Sequence, residues 1–353
     1  MHSMTFSREP KVSASCCGLR VRKVIAMLKS IAVLLLFAGA AFAEGPAPKA
    51  ADTATVAVKD DGRPVFEYCH GGDLFKPYVA KLFSPGGVNV LRDQIADHPH
   101  HHGLMFAVGV DGVDFWAEDT KCGREVTKSF ETAEYVPGDK AWLVTLESGI
   151  VWFGPQFGVP LAMEDRKVTT YLRREMGATL LTWQTKLLTW QTKLRPAEGK
   201  PSIKLTGSHY FGLGMRFVQS MDGADDFFTP EGKAAGETVR GNERLVRGKW
   251  CAYAAEVDGK PVTVAMFDHP ENVRPAWWFI MAKPFAYMSA TLNLHREPLE
   301  IEAGKPLKLA YGVAVWDGKV NPEQIEKLYK RWLELVGPIN WVEREFYDRA
   351  RRF

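Results

Sequence analysis

The sequence lacks several motifs that would place it in a common enzyme class. It has no Walker or Rossmann glycine pattern for a nucleotide and no G-x-S-x-G segment for a serine hydrolase. Its five cysteines include no C-x-x-C pair, so a zinc site built from thiolates is not expected. Only Cys69, Cys122 and Cys251 follow residue 43, and three distant cysteines allow one internal disulfide at most.

A strong charge of either sign is also absent. The net charge of +3 depends on residues 1–43, which hold six of the 45 basic and one of the 42 acidic residues. The remainder has 39 basic and 41 acidic residues, and this balance argues against a nucleic-acid partner. No apolar run after residue 43 approaches the roughly 20 residues that span a bilayer, so no membrane span is expected there.

The N-terminal segment has the pattern of a secretory signal peptide. Basic residues precede an apolar run over residues 31–42, and Ala41-Phe42-Ala43 has the small-x-small pattern of a cleavage site. Residues 1–43 are therefore predicted to be a leader that exports the protein to the periplasm or the cell exterior, with Met27 as an alternative start. An uncleaved anchor is the other interpretation. Residues 44–55 are predicted to be a flexible lead-in.

Residues 56–353 are predicted to form a single all-β domain, a large antiparallel β-sandwich of the supersandwich type. Short runs rich in β-branched and aromatic residues recur, such as Trp142–Leu146, Lys167–Leu172 and Pro261–Phe267. Turn signals such as Asp111-Gly112 separate them. Regular short strands between frequent turns are typical of a sandwich or barrel.

One helix is predicted, at the C-terminal end over about residues 321–336. Asn321 and Gln324 have the spacing of a capping box, and Pro322 occupies the first helical position. The apolar residues that recur at helical spacing are Ile325, Leu328, Tyr329, Trp332 and Val336. Such a stripe predicts that the helix packs on the sandwich.

The chain contains a perfect tandem repeat, in which Leu180–Lys186 and Leu187–Lys193 have the same sequence. Because seven is odd, Trp183 and Trp190 would face opposite sides of one continuous strand. We therefore expect one copy to stay in the sheet and the other to bulge or extend a hairpin.

The densest functional signal is a histidine cluster, with four of the nine histidines at positions 98–102. Pro99 favours an extended chain at His98. In an extended chain His98, His100 and His102 would share one side, with His101 opposite. Imidazoles two residues apart can hold one divalent metal, or act as acid and base on a sugar. Whether the protein uses a cofactor therefore stays open. If a divalent metal binds, His98 and His100 are its expected ligands.

Other segments could converge with the cluster to form a sugar pocket. Aromatic rings pack against the C–H faces of sugars, while polar side chains bind the hydroxyl groups. The candidate acid–base or ligand groups are His98, His100, His101 and His269. The candidate substrate-binding groups are Arg92, Arg216, Asn272 and Trp277.

These segments resemble the PmoA-like family of exported bacterial proteins, a family without an assigned function. The resemblance covers most of residues 64–335. It is carried by five segments: Asp97–Leu104, Gly112–Trp116, Gly212–Arg216, His269–Asn272 and Leu299–Asp317. The family usually has Arg where this chain has His102, and His where it has Trp316. A methane monooxygenase, which the family label suggests, would need several spanning helices that this chain lacks.

A weaker similarity connects the chain with galactose-mutarotase-like sandwiches. It implies a supersandwich with the site on the concave face, where histidines and a carboxylate act on sugars. The sequence thus favours an exported enzyme of the lyase, hydrolase or epimerase type that acts on a sugar or glycoside. Its expected partner is a small-molecule or oligosaccharide substrate. The alternatives are a non-catalytic sugar-binding or scaffold module and a metal-dependent enzyme with another substrate.

Overall fold

The structure is a computed structural model that describes residues 54–339 except 94, 97, 136–141 and 173–184. The predicted leader at residues 1–43 lies outside the described residues. Antiparallel β-strands dominate the described part, as predicted, and form three sheets.

The first sheet has nine strands. In spatial order they are β1 (Ala54–Asp60), β2 (Arg63–His70), β3 (Tyr78–Leu82), β4 (Leu104–Ala107), β12 (Gly212–Arg216), β20 (Tyr287–Thr291), β19 (Trp277–Met281), β16 (Glu243–Arg247) and β15 (Glu237–Arg240).

The second sheet also has nine strands. In spatial order they are β14 (Gly232–Lys233), β13 (Phe227–Thr229), β17 (Trp250–Val257), β18 (Lys260–Asp268), β22 (Leu307–Asp317), β10 (Thr185–Pro196), β9 (Pro160–Leu172), β8 (Trp142–Phe153) and β7 (Arg124–Tyr135).

A small third sheet has four strands. They are β21 (Leu299–Glu302), β11 (Ser202–Thr206), β5 (Gly109–Val110) and β6 (Val113–Asp114).

The two large sheets pack face to face, which confirms the predicted sandwich. The ring centroid of Phe106 in the first sheet lies 6.2 Å from that of Trp152 in the second. The ring centroids of Phe217 and Tyr253 lie 5.1 Å apart. Side chains alternate between the two faces of a strand. The first sheet therefore has a second face, turned away from this core, and the site described below lies on it.

The helix α1 (Pro322–Val336) covers the outer face of the second sheet. Asn321 and Gln324 form the predicted capping box. Ile325, Tyr329 and Trp332 are buried against strands β17, β18 and β22, and Trp332 Nε1 donates to Thr189 Oγ1 at 2.9 Å. The helical stripe is therefore core, as its spacing predicted.

The second copy of the tandem repeat lies in β10, where Trp190 is fully buried in the sandwich core. Residues 180–184 of the first copy lie outside the described residues. The Asp111-Gly112 pair forms a hairpin turn with positive φ at both residues, as predicted. Cys69, Cys122 and Cys251 are buried free thiols.

No helix within the described ranges is long and apolar enough to cross a membrane.

Candidate functional site

The histidine cluster forms a tight turn between β3 and β4. The His98 N–H donates to the Ile95 carbonyl at 3.0 Å, and the His101 N–H donates to the His98 carbonyl at 2.9 Å. The expectation of an extended chain was therefore wrong, because these hydrogen bonds fold it back. As a result the rings of His98, His100 and His101 lie together, with centroids 4.6 to 5.9 Å apart.

These three histidines border a cavity of about 260 Å³ on the outer face of the first sheet. The cavity is lined by aromatic and polar side chains: His98, His100, His101, Trp116, Tyr210, Arg240, Glu243, Phe279, Met281, Phe285 and Tyr287. Aromatic walls with a few polar groups are typical of a small-molecule site.

The strand register explains how the floor of the cavity is built. Tyr287 of β20 pairs with Arg216 of β12 on one side and with Met281 of β19 on the other. Directly opposed residues of antiparallel strands point to the same face. In the next row, Phe279 reaches the same face because it lies two residues from Met281. The sheet therefore presents one continuous surface beneath the histidine turn.

Three buried polar atoms of the cavity have no hydrogen-bond partner among the described residues. They are His101 Nδ1, Trp116 Nε1 and Tyr287 Oη. Buried polar groups in native proteins are nearly always satisfied by protein, water or ligand. Because all three border one cavity, a polar molecule inside it would satisfy them together.

Burial sets the protonation state of two of these groups. It lowers the pKa of His101 to about 2, helped by the nearby charges of His100, His98 and Arg216. Burial also raises the pKa of the Tyr287 hydroxyl well above its ordinary value. At neutral pH His101 is therefore an uncharged ring with one donor and one acceptor, and Tyr287 keeps its proton.

The low pKa of His101 makes stability depend on pH. The unfolded chain takes up a proton at His101 below about pH 6.5, whereas the folded chain does not do so until about pH 2. Folded stability is therefore lost as the pH falls below 6.5, by about 1.4 kcal/mol per pH unit from this group. His101→Gln, which cannot titrate, should remove this part of the slope between pH 6.5 and 4.5. Urea unfolding of both proteins across that range measures it, and a pH-independent difference between them would contradict the assignment.

His102 turns away from the cavity into a buried charge network. Its Nδ1 lies 2.7 Å from Asp93 Oδ1, and its Nε2 lies 2.8 Å from Glu118 Oε1. Burial lowers the pKa of His102, but the hydrogen bonds to the two carboxylates outweigh burial and raise it. Lys76 Nζ donates to Glu118 Oε1 at 2.6 Å and to the Trp116 carbonyl at 2.9 Å. This network connects the histidine turn with the backbone of a cavity residue.

Burial opposes ionisation of Glu118, but His102 and Lys76 outweigh it and lower the pKa of Glu118 to about 2. The ring of Tyr78 stacks on His102 at 4.0 Å, and its hydroxyl donates to Asp93 Oδ2 at 3.0 Å. Every polar atom of the His102 ring is therefore held, and its role is to fix the turn rather than to contact a ligand.

Glu243 supplies a carboxylate at the other end of the cavity. Its Oε1 accepts from Arg240 at 2.7 Å, and its Oε2 lies 3.1 Å from His209 Nε2. Glu243 belongs to β16, whereas the histidine turn leads into β4, and the strands β12, β20 and β19 lie between them. The cavity therefore has imidazoles at one end and a fixed carboxylate at the other.

The family of this chain follows from a match that covers most of its length. A family model described as a family of unknown function (DUF6807) matches residues 55–330. The chain belongs to the DUF6807 family. The resemblance to the PmoA-like family stays a prediction. No curated protein matches the chain in sequence.

Among solved structures, the DUF6807 chain resembles parts of two α-galactosidases. The GH36 enzyme AgaA from Geobacillus stearothermophilus is 10% identical, with a TM-score of 0.44 over 75% of this chain and 41% of that enzyme. The Lactobacillus brevis enzyme is 6% identical, with a TM-score of 0.46 over 79% of this chain and 42% of that enzyme. The chain thus spans about two fifths of each, and the likeness concerns the fold alone.

The structure brings together three of the four predicted acid–base histidines. The fourth, His269, does not line the cavity. Its Nε2 lies 3.0 Å from the Gly337 carbonyl, and its Nδ1 accepts from the Glu271 N–H at 3.2 Å. The expectation that His269 and Asn272 complete the pocket is therefore not met for His269, because Nε2 binds the residue that caps α1 and Nδ1 binds the backbone of its own loop.

Asn272 is likewise a structural residue of this DUF6807 chain. Its side-chain amide donates to Asp268 Oδ1 at 2.7 Å and to the Ala310 carbonyl at 3.0 Å, and accepts from the Ala310 N–H at 2.8 Å. These bonds imitate a strand partner for β22 and engage both donors and the oxygen of the amide in the fold.

The three remaining predicted residues lie around the cavity but do not line it. The Arg216 guanidinium is buried 3.4 Å above the ring of Phe285, behind the cavity wall. The Arg92 N–H donates to the Arg216 carbonyl at 3.0 Å, so it is the Arg92 backbone that is fixed beside the site. Trp277 lies on the cavity face of β19, two residues before Phe279 in the chain.

The sequence interpretation did not single out the cavity residues Trp116, Tyr210, Glu243, Phe279 and Tyr287. Trp116 ends one of the segments that carry the family resemblance, which was the available signal. The others lie in aromatic or strand-like stretches with no local feature that separates a pocket wall from a core position.

The metal alternative has no support from a ligand cluster. Within the part of the chain that the structure describes, no group of three or more His, Cys, Asp or Glu side chains could hold a metal ion. Asp97, the carboxylate next to the turn, lies outside the described residues.

Proposed function

We propose that the cavity binds a sugar and that the chain catalyses proton transfer on it. The observation that carries this proposal is the convergence of three unpartnered polar atoms, from His101, Trp116 and Tyr287, on one aromatic-walled cavity. A sugar matches such a surface, because its C–H faces pack on rings while its hydroxyl groups both donate and accept.

The size of the cavity supports a small ligand. Its 260 Å³ lies just under the roughly 300–1,000 Å³ of pockets for drug-sized molecules. It therefore suits a single sugar ring. The indole N–H of Trp116 can only donate, so it requires an acceptor such as a sugar oxygen.

The roles of the three histidines differ in this proposal. His101 is a hydrogen-bonding group and not an acid or base, because a pKa of about 2 leaves it neutral. His100 is the proton-transfer group, since it is half-buried and its pKa is lowered by burial, which makes the ring a base at neutral pH. Glu243 is the opposing carboxylate, held by Arg240 and His209.

His100 and Glu243 fit chemistry in which a group at one end of the cavity removes a proton from the sugar. The group at the other end then stabilises the resulting charge or returns a proton. Epimerases, lyases and hydrolases of sugars share that requirement. Deuterium incorporation from D₂O into a sugar C–H, followed by NMR, detects an epimerase that deprotonates carbon. Ultraviolet absorbance of a new C=C bond detects a lyase, and formation of a shorter sugar without that bond detects a hydrolase.

His100→Ala should lower turnover by at least 100-fold, the usual contribution of a general base, with the melting temperature changed by less than about 2 °C. The matched control is His70→Ala, which removes another half-buried histidine, stacked on Phe130 and remote from the cavity. Its turnover should stay near that of the unchanged protein. An active His100→Ala protein removes the assignment, and sugar binding without any product would make the chain a binding module instead.

A further inference from the structure

A line of side chains leads out of the cavity along the same sheet face, and we call it the outer track. It consists of His209, His295, Arg296, Trp277 and Arg247. The His209 ring lies 5.4 Å from Phe279 in the cavity wall and 5.9 Å from His295. Arg296 and Arg247 then lie on Trp277, with guanidinium carbons 5.9 and 4.1 Å from its ring centroid.

The strand register makes the outer track a direct continuation of the cavity floor. Trp277 pairs with Arg247 of β16, so both side chains point to the face that Phe279 shares. Trp277 lies two residues from Phe279, a displacement of roughly 7 Å along the strand. This displacement is comparable with the length of one pyranose unit.

The charges along the outer track are unbalanced towards positive. Arg296 pairs with Glu237 at 2.5 Å, and Arg240 pairs with Glu243 at 2.7 Å. Arg247 is exposed and forms no ion pair within the described ranges, although Trp277 holds its guanidinium at a fixed place. A guanidinium fixed by an aromatic ring is prepared for an anion that presents two neighbouring oxygens, because little side-chain freedom remains to be lost.

We propose that the outer track is a second subsite that binds the acidic unit of an oligosaccharide whose adjacent unit occupies the cavity. The inference rests on the proposed sugar-binding function and adds the substrate class: an anionic saccharide of at least two units. Arg247 receives the anionic group, Trp277 is the positioning residue for Arg247, and Arg296 adds positive charge. A uronate carboxylate and a sulfate ester share the required chemistry.

The test is a comparison of disaccharides by isothermal titration calorimetry at 50 mM salt, with the full chain. The probes are digalacturonate, dimannuronate, and a chondroitin disaccharide with and without its 4-sulfate, against lactose and cellobiose. We expect at least one acidic disaccharide to bind ten-fold or more tightly than every neutral one, with the advantage reduced at 500 mM salt. Preference for the sulfated over the unsulfated chondroitin unit identifies sulfate as the anion, whereas equal or tighter binding of the unsulfated unit identifies the carboxylate.

Arg247→Gln should abolish the acidic preference and leave the binding of monosaccharides in the cavity unchanged. The matched control is Arg63→Gln, another exposed strand arginine, on β2, which should keep the preference. Trp277→Ala should weaken the acidic disaccharides as Arg247→Gln does, because Arg247 loses its support.

Two failures are distinguishable. If monosaccharides bind but acidic and neutral disaccharides bind equally, or if Arg247→Gln keeps the preference, the outer track is not an acidic subsite. If neither the monosaccharides nor any disaccharide bind, the proposed function itself fails.

Discussion

Replacing Arg166 by methionine should lower the free energy of unfolding by about 3–5 kcal/mol, the usual effect of removing one partner from a buried ion pair. Arg166 is fully buried in the sandwich core. Its Nε and Nη2 donate to the two carboxylate oxygens of Glu164 at 2.8 Å each, and its Nη1 donates to the Pro77 carbonyl at 2.8 Å. Without Arg166, Glu164 would lose the guanidinium group that binds both of its carboxylate oxygens.

A second carboxyl group in the same cluster provides the control. Burial raises the pKa of Glu125 to about 8, although Arg166 opposes the shift, so Glu125 is largely protonated at neutral pH. Glu125→Gln resembles this protonated form and should cost much less than Arg166→Met in urea unfolding. A loss below about 1 kcal/mol for Arg166→Met would contradict the view that Arg166 neutralises Glu164.

The Arg166 cluster also reaches the functional site through the backbone. Pro77, whose carbonyl accepts from Arg166, lies between Lys76 and Tyr78. Lys76 holds Glu118 and the Trp116 carbonyl, and Tyr78 stacks on His102. The position of the histidine turn therefore depends on a charge cluster in the core, and we expect Arg166→Met to weaken ligand binding as well as folding.

Much of the fold could be predicted from the sequence because its signals are local. The cap of α1 depends on residues three apart, Asn321 and Gln324, and the turn at Asp111-Gly112 on two neighbours. Such contacts form between residues that are already adjacent in the chain. These local structures therefore depend little on the packing of the rest of the molecule.

The site could be predicted only in part, because its geometry is set by distant partners. The density of histidines at 98–102 indicated a segment that borders the cavity, but not the turn that separates His101 from His102. That separation depends on Asp93 and Glu118, which lie outside the cluster and bind the two ring nitrogens of His102. The prediction that His269 lines the pocket failed for a similar reason. The Gly337 carbonyl that binds its Nε2 lies 68 residues away in the sequence.

The cavity walls were harder to predict still. Phe279 and Tyr287 occupy strand positions where an aromatic residue is normally core, and both are in fact nearly fully buried. A cavity wall differs from core only in what lies opposite, which alternation along one strand does not encode. Glu243 lacked any pattern because its partner His209 lies on another segment of the chain.

The second large prediction concerns Gly214, which lies beneath the cavity. Gly214 lies in the regular strand β12, and a Cβ at this position would collide with the hydroxyl of Tyr287 and lie 3.0 Å from Trp116. Gly214→Ala should therefore displace Tyr287, lower the free energy of unfolding by about 1–3 kcal/mol, and weaken sugar binding at least ten-fold. Urea unfolding and calorimetry measure the two effects.

Tyr287→Phe removes the hydroxyl with which the new methyl group collides, so the two changes should not be additive. In a double-mutant cycle the pair should recover about 0.5–3 kcal/mol relative to the sum of the single changes. Sugar binding should not recover, because Tyr287 Oη is itself one of the three atoms that lack a protein partner. Gly154→Ala is the control, since a Cβ there has no neighbour closer than 3.7 Å. Additive stabilities, or restored binding in the double variant, would show that the Tyr287 hydroxyl does not shape the cavity.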